Sequence, residues 1–406
     1  MGGGPAGVEG ANWLTMKRVY TRPIHRARGR EYMDVRPGGP THLRSLTGLR
    51  FFAAMGVVFY HLSLYFTPLG HALDAFGYGF TGVSFFFVLS GFVLTWSHRA
   101  GDSTRKFYRN RFARVWPLHA VTTFLSTLVP SVAATATIWP ALPFVLTLTQ
   151  AWVPAGGYVV SFNGVSWSLS CEAFFYLSFP FLIRMLGKEQ KTGLLAGFVY
   201  GGIVALGIYI SVSLSGPAAN YLLGTMPLYR LGEFVLGMSL ALMIRRGWRP
   251  RLRLGHAVAI TLGLYVSLMV ASAVASGGAT SVPATYANLV MLPGFIAVIA
   301  AAATNDLRGP GKGPASNTMV RLGRWSFALY LVHELVIRLA TPLVDGLDAA
   351  GALAVSALVV VASLALSGLL HEFVESPAEK WLRSAGKQKT LPSEKPTAPQ
   401  GIGSSP

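Results

Sequence analysis

The sequence predicts an all-α polytopic membrane protein of about ten transmembrane helices plus one short re-entrant or interfacial segment. Three observations carry this. Charged residues make up 12% of the 406-residue chain, where ordinary soluble domains carry about 25%. Apolar stretches about 20 residues long, the length that crosses a bilayer, recur from Ser45 onward. Lys and Arg fall in every second connection, which fixes a topology with both termini cytoplasmic.

Residues 1–44 are rich in Gly, Pro and Arg, show no apolar periodicity, and read as a disordered basic tail. No signal-peptide apolar core precedes Ser45, and residue 6 is Ala, where a myristoylation site needs Ser or Thr. The expected spans are 46–66, 77–97, 116–136, 166–186, 193–214, 222–244, 254–276, 284–304, 323–341 and 350–371. Trp139 to Trp152 is apolar but short and broken by Pro140 and Pro143, so it reads as the re-entrant or interfacial piece. Basic residues cluster after the second, fourth, sixth, eighth and tenth spans, whereas 67–76, 137–165, 215–221, 277–283 and 342–349 contain no Lys or Arg. Counting 139–152 as a full span would break that alternation. The membrane domain is therefore 45–378, and 379–406 reads as a second disordered tail.

The net charge of +18 is concentrated in these connections. It suits anionic lipid or an anionic ligand, not nucleic acid, because the chain has no soluble basic module. The single cysteine, Cys171, excludes an internal disulfide and a cysteine metal cluster, and no metal is expected. Cys171 reads as an inert thiol, with no adjacent base.

Polar residues inside the spans are the candidate functional groups, since ionisable side chains are costly there. Arg50 and His61 lie eleven positions apart on the first span. That spacing returns a helix almost to its starting azimuth, so both share one face, about 16 Å apart along the axis. His61 reads as a general base for an attacking hydroxyl, or as a hydrogen-bonded packing histidine. Glu172 is expected at a similar depth, either orienting His61 and stabilising its protonated form or bonding between helices. Arg230 and Glu233 are spaced to pair, chiefly as a structural ion pair. His333, beside Glu334 on the ninth span, reads as a ligand contact or a packing residue. Between the second and third spans, 105–117 is strongly basic; if helical, it sets Arg111 and Arg114 on one face. These arginines could hold phosphates bidentately, or simply retain charge on the inner side.

Six stretches in order resemble the acyltransferase-3 family of integral membrane acyltransferases. They are Ser45–Arg50 with His61, Gly82–Phe92, Phe107–Pro117, Ser166–Glu172 with Phe175 and Tyr176, Leu322–Ser326 with Tyr330 to His333, and Glu375–Pro377. The resemblance implies a multi-pass enzyme of the plasma membrane that moves an acyl group from acyl-CoA to a hydroxyl. It implies a catalytic role for His61 with Arg50 as companion. It also implies donor contacts at Arg111 and Arg114; Arg50, at the cytoplasmic mouth, and His333, which matches a recurrent family signature, are expected to join them in binding the donor. Asn110 stands where the family often has a basic residue, and Cys171 where Ala or Val is usual. Stand-alone members act on small natural products, including ring or sugar hydroxyls of macrolides, which is the expected acceptor here. The alternatives are O-acetylation of envelope polysaccharide or peptidoglycan and, from another class, a proton-coupled transporter or flippase.

Overall fold

The computed structural model describes residues 1, 42–99, 101–135, 138–276, 283–309 and 313–384. Among these every regular element is helical: α1 (Arg44–Tyr65), α2 (Gly82–Ser97), α3 (Thr104–Ser126), α4 (Pro130–Ala133), α5 (Ile138–Leu146), α6 (Gly156–Val159), α7 (Trp167–Lys188), α8 (Thr192–Ser213), α9 (Gly216–Gly224), α10 (Pro227–Arg245), α11 (Leu254–Ser276), α12 (Ala284–Arg308), α13 (Asn317–Ala340), α14 (Ala349–Leu370) and α15 (Ser376–Ser384), with short 3-10 turns between them. The expected tails, 1–44 and 379–406, fall largely outside the described residues. Residues 379–384, however, complete α15 and so belong to the folded domain.

Nine segments among the described residues are long and apolar enough to cross a membrane. The expected third span, 116–136, is not among them. In its place α3 starts at Thr104, carries Arg105, Lys106, Arg109, Arg111 and Arg114 in its first half, and ends at Ser126. The basic stretch is therefore helix, opened by Ser103, whose side chain accepts from the Lys106 N–H. The segment expected to be re-entrant or interfacial holds only the nine-residue α5, too short to span. The sixth span is broken near Thr225, which separates α9 from α10.

Two parallel helix pairs form the centre. Helix α1 lies along α13: Arg44 donates to the Ala315 carbonyl (3.0 Å) and Asn317 (2.6 Å) at one end, and Tyr65 donates to Glu334 (2.7 Å) at the other. Such proximity requires glycine. A Cβ on Gly323 would lie 1.8 Å from the Thr47 carbonyl oxygen, and one on Gly48 2.0 Å from that of Pro314. The pair α2 and α10 repeats the device: a Cβ on Gly91 would lie 2.0 Å from Phe234 O, and one on Gly237 1.9 Å from Val88 O. The first turn of α1 has no side-chain cap of its own. Asp306 of α12 replaces it, accepting from the Ser45 N–H (2.8 Å) and hydroxyl (2.6 Å). Where α7 meets α2 and α10, Phe87, Phe175, Phe179 and Phe234 form a buried aromatic core. Helices α8 and α11 stand outside, with Phe198 and Val274 exposed, as expected for lipid-facing helices.

Candidate active site

The parallel register of α1 and α13 brings two histidines together. His333 Nε2 lies 3.3 Å from His61 Nδ1. His61 Nδ1 also lies 2.9 Å from the Val57 carbonyl, and His333 Nδ1 3.0 Å from that of Leu329. Carbonyl oxygens only accept, so each Nδ1 carries the proton. The His61 Nδ1–H is then shared between Val57 O and the lone pair on His333 Nε2. This leaves the second ring nitrogen of His61, Nε2, as a lone pair with no partner among the described residues. That is the protonation state of a general base.

His61 lines a cavity of about 370 Å³ together with Tyr60, Trp167, Arg230, Tyr330 and Glu334. His333 is fully buried behind it. The Glu334 carboxylate accepts from Tyr65 (2.7 Å) and from Arg338 Nε (2.9 Å), with Arg338 Nη2 2.7 Å away in an ion pair. Glu334 lines the same cavity as His61, with its charge paired to Arg338. Gly164 makes room for it, because a Cβ there would lie 2.6 Å from both carboxylate oxygens. Tyr330 closes the floor, donating to the Val165 carbonyl at 3.0 Å.

A second cavity, about 100 Å³, lies toward the basic end of the bundle and holds Arg50, Arg111, Arg114, Glu172 and Tyr176. Tyr176 donates to Glu172 at 2.7 Å. Arg111 sits between the rings of Tyr176 (5.9 Å) and Phe107 (6.0 Å) and makes no ion pair among the described residues. Arg114, by contrast, is bound to Glu375 and, at 3.2 Å, to Glu379, which fastens α15 and the π-helical turn His371–Glu375 to α3. The two cavities meet at an edge-to-face contact between Phe86, which lines the arginine cavity, and Tyr330, which lines the histidine cavity (6.1 Å).

A third recess, about 160 Å³, opens beside the start of α3 and is lined by His98, Asp102, Ser103, Lys106, Asn110 and again Arg111. Burial holds the His98 imidazole below its ordinary pKa, with Arg245 acting the same way and Asp102 opposing.

The six candidates thus divide into two groups. His61 and His333 form one, and Arg50, Arg111, Arg114 and Glu172 form the other. Two expectations are corrected. Glu172 does not orient His61; its hydrogen-bond partner is Tyr176 on its own helix, and it faces the arginines. His333 does not line a donor site; it is packed behind His61. Arg230 and Glu233 do pair, at 2.8 Å, and Cys171 is buried with its sulfur donating to Thr225 O (3.4 Å). Glu334 had no role in the sequence reading, although its i, i+4 spacing to Arg338 marks the pair.

A polytopic helical bundle that buries a base-poised histidine beside an arginine-rich cavity is built as an integral membrane enzyme. The chain matches the family described as Acyltransferase domain over residues 43–372, and it belongs to that family. It is 36% identical to the acyltransferase MdmB of Streptomyces mycarofaciens, over 88% of this chain and 96% of that protein. Over 52% of this chain it is 26% identical to a Staphylococcus aureus (strain COL) protein whose name assigns it O-acetyltransferase activity, covering 35% of that protein. It is also 32% identical over 38% of its length to a protein of Acidianus two-tailed virus named for acetyltransferase activity, covering 47% of that protein. No solved structure matches this chain.

Proposed function

We propose that this membrane acyltransferase moves an acyl group from acyl-CoA to a hydroxyl of a small natural product such as a macrolide, on its ring or sugar. The observation that carries the reading is the free Nε2 of His61 in a cavity adjoining an arginine cluster. In the reaction the donor approaches from the basic end, taken as the cytoplasmic face of the plasma membrane, where both termini lie. Arg111 and Arg50, which make no ion pairs among the described residues, attract its phosphates. Arg114 is occupied by Glu375 and Glu379 and acts by holding α15. The acyl thioester reaches the histidine cavity, where His61 Nε2 takes the proton of the acceptor hydroxyl as its oxygen attacks the carbonyl carbon. Glu334, on the same cavity, is the nearby carboxylate facing the charge that forms. The C–S bond then breaks, and the proton passes from His61 to the leaving thiolate.

Two observations support a small acceptor over an envelope glycan. A cavity of about 370 Å³ is in the range that encloses a drug-sized group. The relative matched over almost its whole length, MdmB, is a chain of this size, whereas this chain covers about a third of the S. aureus protein.

The test uses purified protein in lipid nanodiscs with acetyl-CoA or propionyl-CoA. Acceptors are macrolide lactones bearing free hydroxyls and, in parallel, peptidoglycan fragments. Release of free thiol is followed together with product mass. Acyl-macrolide formation that His61→Ala abolishes without loss of folded protein is the expected result, as is a raised donor KM in Arg111→Ala. Thiol release only with the glycan would move the acceptor, and no release with either would remove acyl transfer from CoA altogether.

A further inference from the structure

The histidine cavity contains a cation that the mechanism above leaves unused. Arg230 and Glu233 are 2% and 3% exposed within the helical bundle. An ion pair serving packing alone gains little over an apolar pair of similar volume. It also satisfies its own donors, and this one does not. Arg230 Nη2 donates to Ser84 Oγ at 3.0 Å, and Nη1 lies 2.8 Å from Glu233 Oε1 but without hydrogen-bond geometry. Nε has no partner at all among the described residues, and neither has Glu233 Oε2. The guanidinium is nevertheless held in place. Ser84 is itself tied to Asn288 at 3.0 Å, and the Phe87 ring lies 5.2 Å from the Arg230 Cζ. Arg230 and Asn288 line the same cavity as His61.

We propose that Arg230 is a catalytic residue that stabilises the oxyanion of the tetrahedral intermediate. This rests on the acyl-transfer reading. When the acceptor oxygen bonds to the thioester carbon, the carbonyl π pair moves onto oxygen. His61 holds the proton from the acceptor hydroxyl. The negative oxygen needs a donor that neither His61, now protonated for the leaving group, nor the anionic Glu334 supplies. The N–H groups on Nε and Nη1 of Arg230, buried and without hydrogen-bond partners among the described residues, are the donors available at the cavity wall, where Ser84, Glu233 and Phe87 hold the guanidinium. As the intermediate collapses, the pair returns to the carbonyl, the C–S bond breaks, and His61 protonates the thiolate.

The test separates this role from charge balance. Arg230→Gln alone leaves Glu233 buried and unpaired, so the informative variant is the double one, Arg230→Gln with Glu233→Gln, which stays neutral. Assayed with the acceptor that scores in the panel above, it is expected to melt like the wild type. Its kcat should fall by about 10²–10³-fold, the loss typical of a removed oxyanion donor, with both KM values within about threefold. A double variant with kcat within about threefold of wild type would reduce Arg230 to a counter-ion, and so would a loss confined to KM. Should the double variant not fold, Arg230→Lys keeps the charge for Glu233 but not the planar fork. A loss of about tenfold or more in kcat is then expected, and a wild-type rate overturns the proposal. Wild-type protein that releases no thiol with any acceptor refutes acyl transfer from CoA, and the oxyanion role argued on it. Wild-type activity with an equally active double variant refutes only the role of Arg230.

Discussion

His333 touches the proposed base and not the cavity, so its replacement should weaken the reaction without abolishing it. The contact removed is one hydrogen bond, from His61 Nδ1–H to His333 Nε2 at 3.3 Å. It is long and shared, since the same N–H also points to Val57 O at 2.9 Å. A neutral hydrogen bond is worth about 1 kcal/mol net, and 1.36 kcal/mol is a factor of ten in rate. His333→Leu should therefore lower kcat by about fivefold, with the KM for donor unchanged, because Val57 still holds the tautomer. His61→Ala should cost at least the roughly 10²–10⁴-fold of general-base catalysis. His333→Gln restores an acceptor at similar reach and should recover most of the rate. The assay is steady-state thiol release in nanodiscs with the acceptor saturating. If His333→Leu is as inactive as His61→Ala while still folded, His333 takes part in proton transfer and the positioning argument fails. If both His333 variants match the wild type, the contact has no role.

Gly323→Ala places a Cβ 1.8 Å from Thr47 O and must push α1 off α13. Overpacking of this kind costs about 1–3 kcal/mol, so the detergent-solubilised variant should melt lower and also lose activity, as the two histidines part. Arg114→Ala removes the cation that binds Glu375 and Glu379. Limited proteolysis should then cut within 376–384 faster than in the wild type, and donor KM should change less than in Arg111→Ala. His98 is held below its ordinary pKa by burial, so the unfolded chain binds its proton more readily. Its contribution to stability is lost as pH falls below about 6.5. His98→Gln should narrow the difference in melting temperature between about pH 7.5 and 5.5, and an unchanged difference would refute the assignment.

The strongly apolar spans were readable because length and hydropathy alone define them. Helix α1 was expected at 46–66 and is found at Arg44–Tyr65; α14 was expected at 350–371 and is found at Ala349–Leu370. The failures lie where charge and helix coincide. Five basic residues made 105–114 look like a connection, whereas α3 runs through them, because Glu375, Glu379 and Tyr176 receive the arginines. Those partners come from other parts of the chain, and no local pattern reveals them. His61 was legible as a costly polar group in an apolar run. Its partner was not, since depth alone allowed Glu172 as readily as His333. What decides is the close approach of α1 to α13 at Gly48 and Gly323. Sequence marks those residues as glycines without saying which helix comes near.

The Phe86–Tyr330 contact separates an arginine-lined cavity at the basic end from a histidine-lined cavity farther in. A passage joining them would be a polar channel through much of a bilayer, and a row of arginine, glutamate and histidine side chains is the kind of path along which protons hop. Under the acyl-transfer reading, an acyl chain that continues from one cavity to the other runs beside these two rings. At the contact itself that row of polar side chains is interrupted by an aromatic pair, so a chain of waters carrying protons from one cavity to the other would have to pass around it.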